Sequence, residues 1–184
     1  KAQTNDSGRN TLRDLPTKIR NATAEFQKMK KPNQLRKILE QSHPDFVKNP
    51  DHLQLYVDGG QIVATGAASF SFEYRYTLNV VVTDYAGDIA TLIVPMMAYL
   101  RTNQPEILEN PQIRENAFKF QVDYNNNNTA DISFEIQLTE RVVSKKDRNN
   151  VQIHYAKEPV WDEPTRVKVY LEDWDSLIFE GDIF

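Results

Sequence analysis

The residues in this sequence best able to move a proton or hold a metal near neutral pH are His43, His52 and His154. A metal site needs its ligands brought together at characteristic short spacings. These three fall in different elements and show no such spacing, so no metal site is expected. His43 reads as part of a helix terminus, and His52 and His154 as strand-surface residues. Paired carboxylates occur at Asp84/Asp88 and at Glu172/Asp173/Asp175. With 26 acidic residues in 184, such pairs arise by chance. A turn cap accounts for Asp88 and a solvated tail for the others, without acid–base work. Ser69 and Ser71 have no base placed beside them. The chain contains no G-x-S-x-G, G-x-x-x-x-G-K-[ST] or G-x-G-x-x-G. Asn21-Ala22-Thr23 and Asn127-Asn128-Thr129 match glycosylation sequons but read as chance matches, no apolar leader being visible. Phe70, Phe72, Tyr74 and Tyr76 could stack on bases, yet their common parity marks them as core. Neither catalytic residues nor a cofactor is expected.

Composition narrows the class further. Cysteine is absent, which excludes disulfides, thiolate nucleophiles and iron–sulfur clusters. No run approaches eighteen apolar residues, and mean hydropathy is -0.61. Charge is unevenly placed. Residues 1–31 hold eight Lys/Arg and three Asp/Glu, whereas 32–184 hold fourteen and twenty-three. An acidic body argues against nonspecific binding of nucleic acid, which needs a basic face. The basic arm reads as a solvated extension.

The elements follow from hydrophobic period. Residues 1–10 are polar and read as disordered; Leu12, Leu15, Ile19, Ala22 and Phe26 suggest at most a weak helix around Pro16. Met29 resembles a start residue, so 1–28 is expected to be an extension and 29–184 a single domain with an acidic C-terminal segment. Leu35, Ile38, Leu39 and Ser42 predict an amphipathic helix over 32–42, ended by His43-Pro44. Leu53, Leu55 and Val57 alternate, and Gly59-Gly60 predicts a hairpin turn before Ile62 and Ala64. From Phe70 to Val82 every second residue is apolar, predicting a long half-buried strand. Asp84-Tyr85-Ala86-Gly87-Asp88 predicts a turn whose Asp88 caps the next helix. Ile89, Leu92, Ile93, Met96, Met97 and Leu100 place that helix at about 89–102, with Pro95 inside it. Phe118–Tyr124 and Ala130–Leu138 predict an antiparallel hairpin. Residues 144–150 read as a charged loop, Val151–Tyr155 and Val167–Leu171 as short strands, and the end as an acidic aromatic tail. The expected fold is α+β: an antiparallel or mixed sheet of about six strands, with two main helices on one face.

Several runs together carry a family resemblance. Phe72-Glu73-Tyr74-Arg75-Tyr76-Thr77-Leu78-Asn79 with Asp84-Tyr85-Ala86-Gly87 resembles the R-type (GpR family) tail completion proteins of temperate contractile-tailed phages. Asn49-Pro50-Asp51-His52-Leu53, Ile62-Val63-Ala64-Thr65-Gly66, Leu100-Arg101, Asn103-Gln104-Pro105 and Leu138-Thr139-Glu140-Arg141-Val142 fit the same pattern. The matches span about 49–142, with weaker similarity reaching Met29 and His154; residues 1–28 depart from the pattern, and 160–184 is poorly covered by it.

The resemblance implies a structural protein that caps the head-proximal end of a tail tube and prepares it for head joining. It is similar to ring-forming tail terminators. A capsid-side connector or neck adaptor is the alternative. Expected partners are further copies in a homo-oligomeric ring, six being the expected number, and the tail tube with its neighbouring tail or connector proteins. Specific nucleic acid and membrane are not expected partners. The implied location is the virion tail, assembled in the bacterial host cytoplasm. Glu73, Arg75, Arg101, Glu140 and Arg141 are the candidate interface residues, because charge pairs between subunits fix register.

Overall fold

Helix α1, Lys30–Ser42, begins with amides that no residue of its own can satisfy, as every helix does. Pro32 is tolerated there because its missing amide lies in that first turn. Leu35 and Leu39 bury one face completely. The backbone then passes through short α2, Asp45–Lys48, and a 3-10 turn, Pro50–His52, into the sheet. The computed structural model describes residues 29–66, 69–125, 128–158, 165–171 and 176–183. The expectations for 1–28, for Pro159 and Pro164, for the Glu172/Asp173/Asp175 cluster with Trp174, and for the sequons' Asn21 and Asn127 lie outside the described residues.

The main sheet is antiparallel. Strands β1 (Leu53–Ala64), β2 (Phe72–Tyr85) and β4 (Ala130–Asp147) lie side by side. On the far edge of β4, β3 (Phe118–Tyr124) pairs its first half and β5 (Asn150–Tyr155) its last part. A separate ribbon, β6 (Thr165–Leu171) and β7 (Ser176–Ile183), lies against α1 and the later helix Ala90–Asn103. The architecture is thus α+β, with five strands in one sheet and two in another.

Helix α3, Ala90–Asn103, is capped as expected: the Asp88 carboxylate accepts the Ala90 amide at 2.8 Å. Leu92, Met96, Tyr99 and Leu100 are buried, and Pro95 sits inside the helix. The buried face is rotated from the expected one. Met97 is exposed, and Tyr99 takes the core position, its hydroxyl donating to Gln34 Oε1 at 2.9 Å. Two short helices, α4 (Glu106–Glu109) and α5 (Arg114–Ala117), lead to β3 and add Ile107 and Ala117 to the core. Helices α1 and α3 pack against each other over one sheet face, where Leu78, Val80, Val82, Ile132, Phe134 and Ile136 are inaccessible. Each such buried side chain contributes about 1.5–3 kcal/mol.

Three expectations are corrected. Gly59-Gly60 does not turn the chain. β1 runs through it with an irregularity between Val57 and Gly60. A Cβ on Gly60 would lie 2.8 Å from the Arg75 carbonyl oxygen and 2.9 Å from Tyr76 Cβ, so the glycine serves close strand approach rather than reversal. Residues 144–150 are not a loop. β4 continues to Asp147, and the reversal is confined to Arg148 and Asn149, with Arg148 at φ 52. Solvent on both faces removes the apolar alternation that would have marked these strands. Within the tail, Ser176–Ile183 is also strand, as β7.

Candidate assembly surface

The open face of the sheet carries the polar parity of each long strand. On β2 it presents Glu73 and Arg75, and on β4 Thr139 and Arg141; Glu73 aligns with Arg141 and Arg75 with Thr139. Arg75 Nε donates to Glu73 Oε1 at 2.7 Å, with the Arg75 side chain 57% exposed. An exposed pair of this kind contributes at most about 1 kcal/mol to folding, so its charges are available to a partner. Arg101 is exposed too, but it closes α3 in the helix layer. The five sequence candidates therefore do not form one cluster: Glu73, Arg75 and Arg141 share a surface, and Arg101 stands apart.

Glu140 corrects the expectation. It lies on the core face and is 4% exposed. Its carboxylate accepts the amides of Lys30 at 2.9 Å and Lys31 at 3.1 Å, and the hydroxyl of Tyr76 at 2.5 Å. A carboxylate from a distant strand thus caps α1, in the position where the helix dipole favours negative charge. The apolar neighbours Leu138 and Val142 share its parity, which is the sequence signal that places Glu140 inward.

Lys31 is the second buried ion, and sequence reasoning missed it. Its Nζ donates to the Asn103 carbonyl at 2.7 Å and to Gln104 Oε1 at 2.6 Å, and pairs with Glu158 Oε1 at 2.8 Å. Gln104 also accepts the Thr139 amide at 3.1 Å through Oε1 and donates to Thr139 Oγ1 at 3.0 Å through Nε2. One side chain thereby occupies the part of the β4 edge left between β3 and β5. Burial first, then the Glu140 charge and the hydrogen bond to it, drive the Tyr76 phenol well above its ordinary range, so it remains a donor. Burial, with the charges of Glu140 and Glu158, does the same to Tyr99. This network ties α1, α3, β2 and β4 together and faces inward.

His43 is the C-cap of α1. Its Nε2 lies 3.1 Å from the Tyr85 hydroxyl and 3.2 Å from Thr91 Oγ1, and its Nδ1 lies 3.0 Å from Ser42 Oγ. Burial lowers its pKa, opposed by the charge of Asp45 and by the Leu39 carbonyl. His52 lies in the 3-10 turn rather than on a strand, and His154 is exposed on β5. Among the described residues no three His, Asp or Glu are grouped as metal ligands would be, and no helix is long and apolar enough to cross a membrane.

The profile of one family, P2 phage tail completion protein R (GpR), matches residues 29–159. The chain belongs to this family. Similar to it is "Tail completion protein R" of Escherichia phage P2, 43% identical over 136 residues, covering 74% of this chain and 88% of the relative. No solved structure matches the chain. The GpR match takes in α1, the whole main sheet, Lys31, Glu140 and Glu158, and leaves the β6–β7 ribbon outside.

Proposed function

We propose that this protein completes a phage tail by closing the head-proximal end of the tail tube as a ring of identical subunits, six being the expected number. The observation that carries the reading is the 43% identity to a tail completion protein along 88% of that relative's length. The open sheet face with Glu73, Arg75 and Arg141 supports it, since opposed charges set register between stacked or neighbouring subunits. A cap needs shape and charge complementarity to the last ring of a tube, and catalysis has no part in that task. Residues 29–184 form the working unit in this reading and 1–28 an extension of it. The protein resides in the virion tail after assembly in the bacterial cytoplasm. The test is electron microscopy of particles made without the protein. Overlong or head-incompetent tails support a terminator. Normal tails beside leaking heads would assign the protein to the capsid-side connector instead.

A further inference from the structure

Two edges of the sheet fit each other. Among the described residues β1 pairs only with β2, and β5 only with β4, so each leaves one edge open. Natural edge strands are commonly blunted by charge or proline. Gly60-Gln61-Ile62-Val63-Ala64 and Val151-Gln152-Ile153-His154-Tyr155 contain no Asp, Glu, Lys, Arg or Pro. Instead Ile62, Val151 and Ile153 are 71%, 46% and 49% exposed. The register puts them on one face of the sheet: Ala64 aligns with Phe72, Phe72 with Val142 and Val142 with Tyr155, while Ile62 and Ile153 each lie two residues along on that parity.

The backbone phase agrees. The Thr65 amide donates inward to the Ser71 carbonyl at 3.3 Å, so the alternate residues Gly60, Ile62 and Ala64 direct their amides and carbonyls outward. The Ala156 amide donates inward to the Arg141 carbonyl at 2.8 Å, so Val151, Ile153 and Tyr155 direct theirs outward. Strand direction alternates along β1-β2-β4-β5, so β5 and the β1 of a following copy would meet antiparallel.

We propose that β5 of one copy pairs with β1 of the next, with Ile153 opposite Ile62, Tyr155 opposite Gly60 and Val151 opposite Ala64. The occupant of each edge is a second copy of this chain, because phase, direction and apolar face all match. Charge matches as well: the same register sets exposed Lys157 opposite exposed Asp58. Such a head-to-tail contact uses two different surfaces and generates a ring when its rotation closes. The pairing rests on the ring reading above and names its contact, leaving Glu73, Arg75 and Arg141 on the open face.

The chain has no cysteine, so introduced thiols report this contact cleanly. Hydrogen-bonded antiparallel partners lie about 5.5 Å apart at Cα, within disulfide reach. The double variant Ile62→Cys/Ile153→Cys, oxidised at a concentration where light scattering shows oligomers, should give a ladder of reductant-sensitive covalent multimers. Either single variant should give none beyond a dimer. Oligomers without a ladder would overturn the pairing while leaving the ring reading standing. Monomers at every concentration, and on isolated tail tubes, would overturn both. In the second arm, Ile153→Lys should abolish oligomers with an unchanged circular dichroism spectrum; intact oligomers would also overturn the pairing.

Discussion

Lys31 and Glu140 meet through the lysine's backbone amide, at 3.1 Å from the carboxylate, while its ammonium reaches away to Glu158, Asn103 and Gln104. The two buried ions thus act on different neighbours. One holds the start of α1 on β4, and the other holds that start to the end of α3 and to the segment after β5.

Glu140→Ala leaves the amides of Lys30 and Lys31 and the Tyr76 hydroxyl without their acceptor. Each unsatisfied buried group costs about 1–3 kcal/mol, so the variant should lose at least about 2 kcal/mol in urea denaturation. An unchanged midpoint would show that α1 is capped by something else.

Arg75→Glu and Arg141→Glu change exposed residues on the open face. Surface substitutions usually move stability by no more than about 0.5 kcal/mol. Both variants should therefore fold normally, yet impair ring formation or capping of tail tubes. Light scattering and a tube-binding assay check this; rings that still cap tubes would remove these arginines from the contact.

Only Gly60 of the Gly59-Gly60 pair should be sensitive to alanine. A Cβ at Gly60 meets β2 backbone at 2.8 Å, whereas a Cβ at Gly59 meets nothing within 4 Å. Overpacking costs about 1–3 kcal/mol, so Gly60→Ala should lower the melting temperature and Gly59→Ala should leave it nearly unchanged. Equal effects would contradict the strand path through these glycines.

Leu78 is 1% exposed in the middle of β2. Leu78→Ala removes buried methyl groups and leaves a cavity, which costs roughly 2–5 kcal/mol. Chemical denaturation measures it directly, and parental stability would mean that the parity of β2 is wrong.

His43 predicts a pH dependence. Its folded pKa lies below the ordinary 6.5 because burial disfavours the imidazolium. Below 6.5 the unfolded chain takes up a proton that the folded one refuses, so stability falls as pH drops through that value toward the folded pKa. Stability measured from pH 7.5 to 5 should decline for the parent and decline less for His43→Gln. Parallel curves would show that His43 protonates freely in the folded state.

The parts of the fold legible in sequence were those where one face is wet and the other dry. Phe72 to Val82 and Ala130 to Leu138 alternate because the helices cover one side of the sheet, so which side chains point inward is legible residue by residue, while the pairing register is not. The same logic failed where both faces are wet, as at Lys145, Lys146 and Asp147, and where a glycine pair served strand contact instead of a turn. The candidate surface was legible only in part. Glu73, Arg75 and Arg141 share the polar parity, whereas Glu140 shares the apolar parity of Leu138 and Val142 and is buried although carboxylates seldom are. Its partners, the amides of Lys30 and Lys31, are more than a hundred residues away and leave no trace in local pattern.

The 18-residue β4 runs without a break from the helix-covered half of the sheet into an end that protrudes past β2, whose last partner on it is Val142, and pairs there with β5. A pull on the protruding end along the strand axis therefore loads the hydrogen bonds between β4 and β2 side by side, in shear, rather than one after another as in unzipping. The same strand carries Glu140, which holds the first turn of α1. Mechanical load arriving at the β4–β5 tip is thus delivered to the interior of the subunit before any single ladder bond must break.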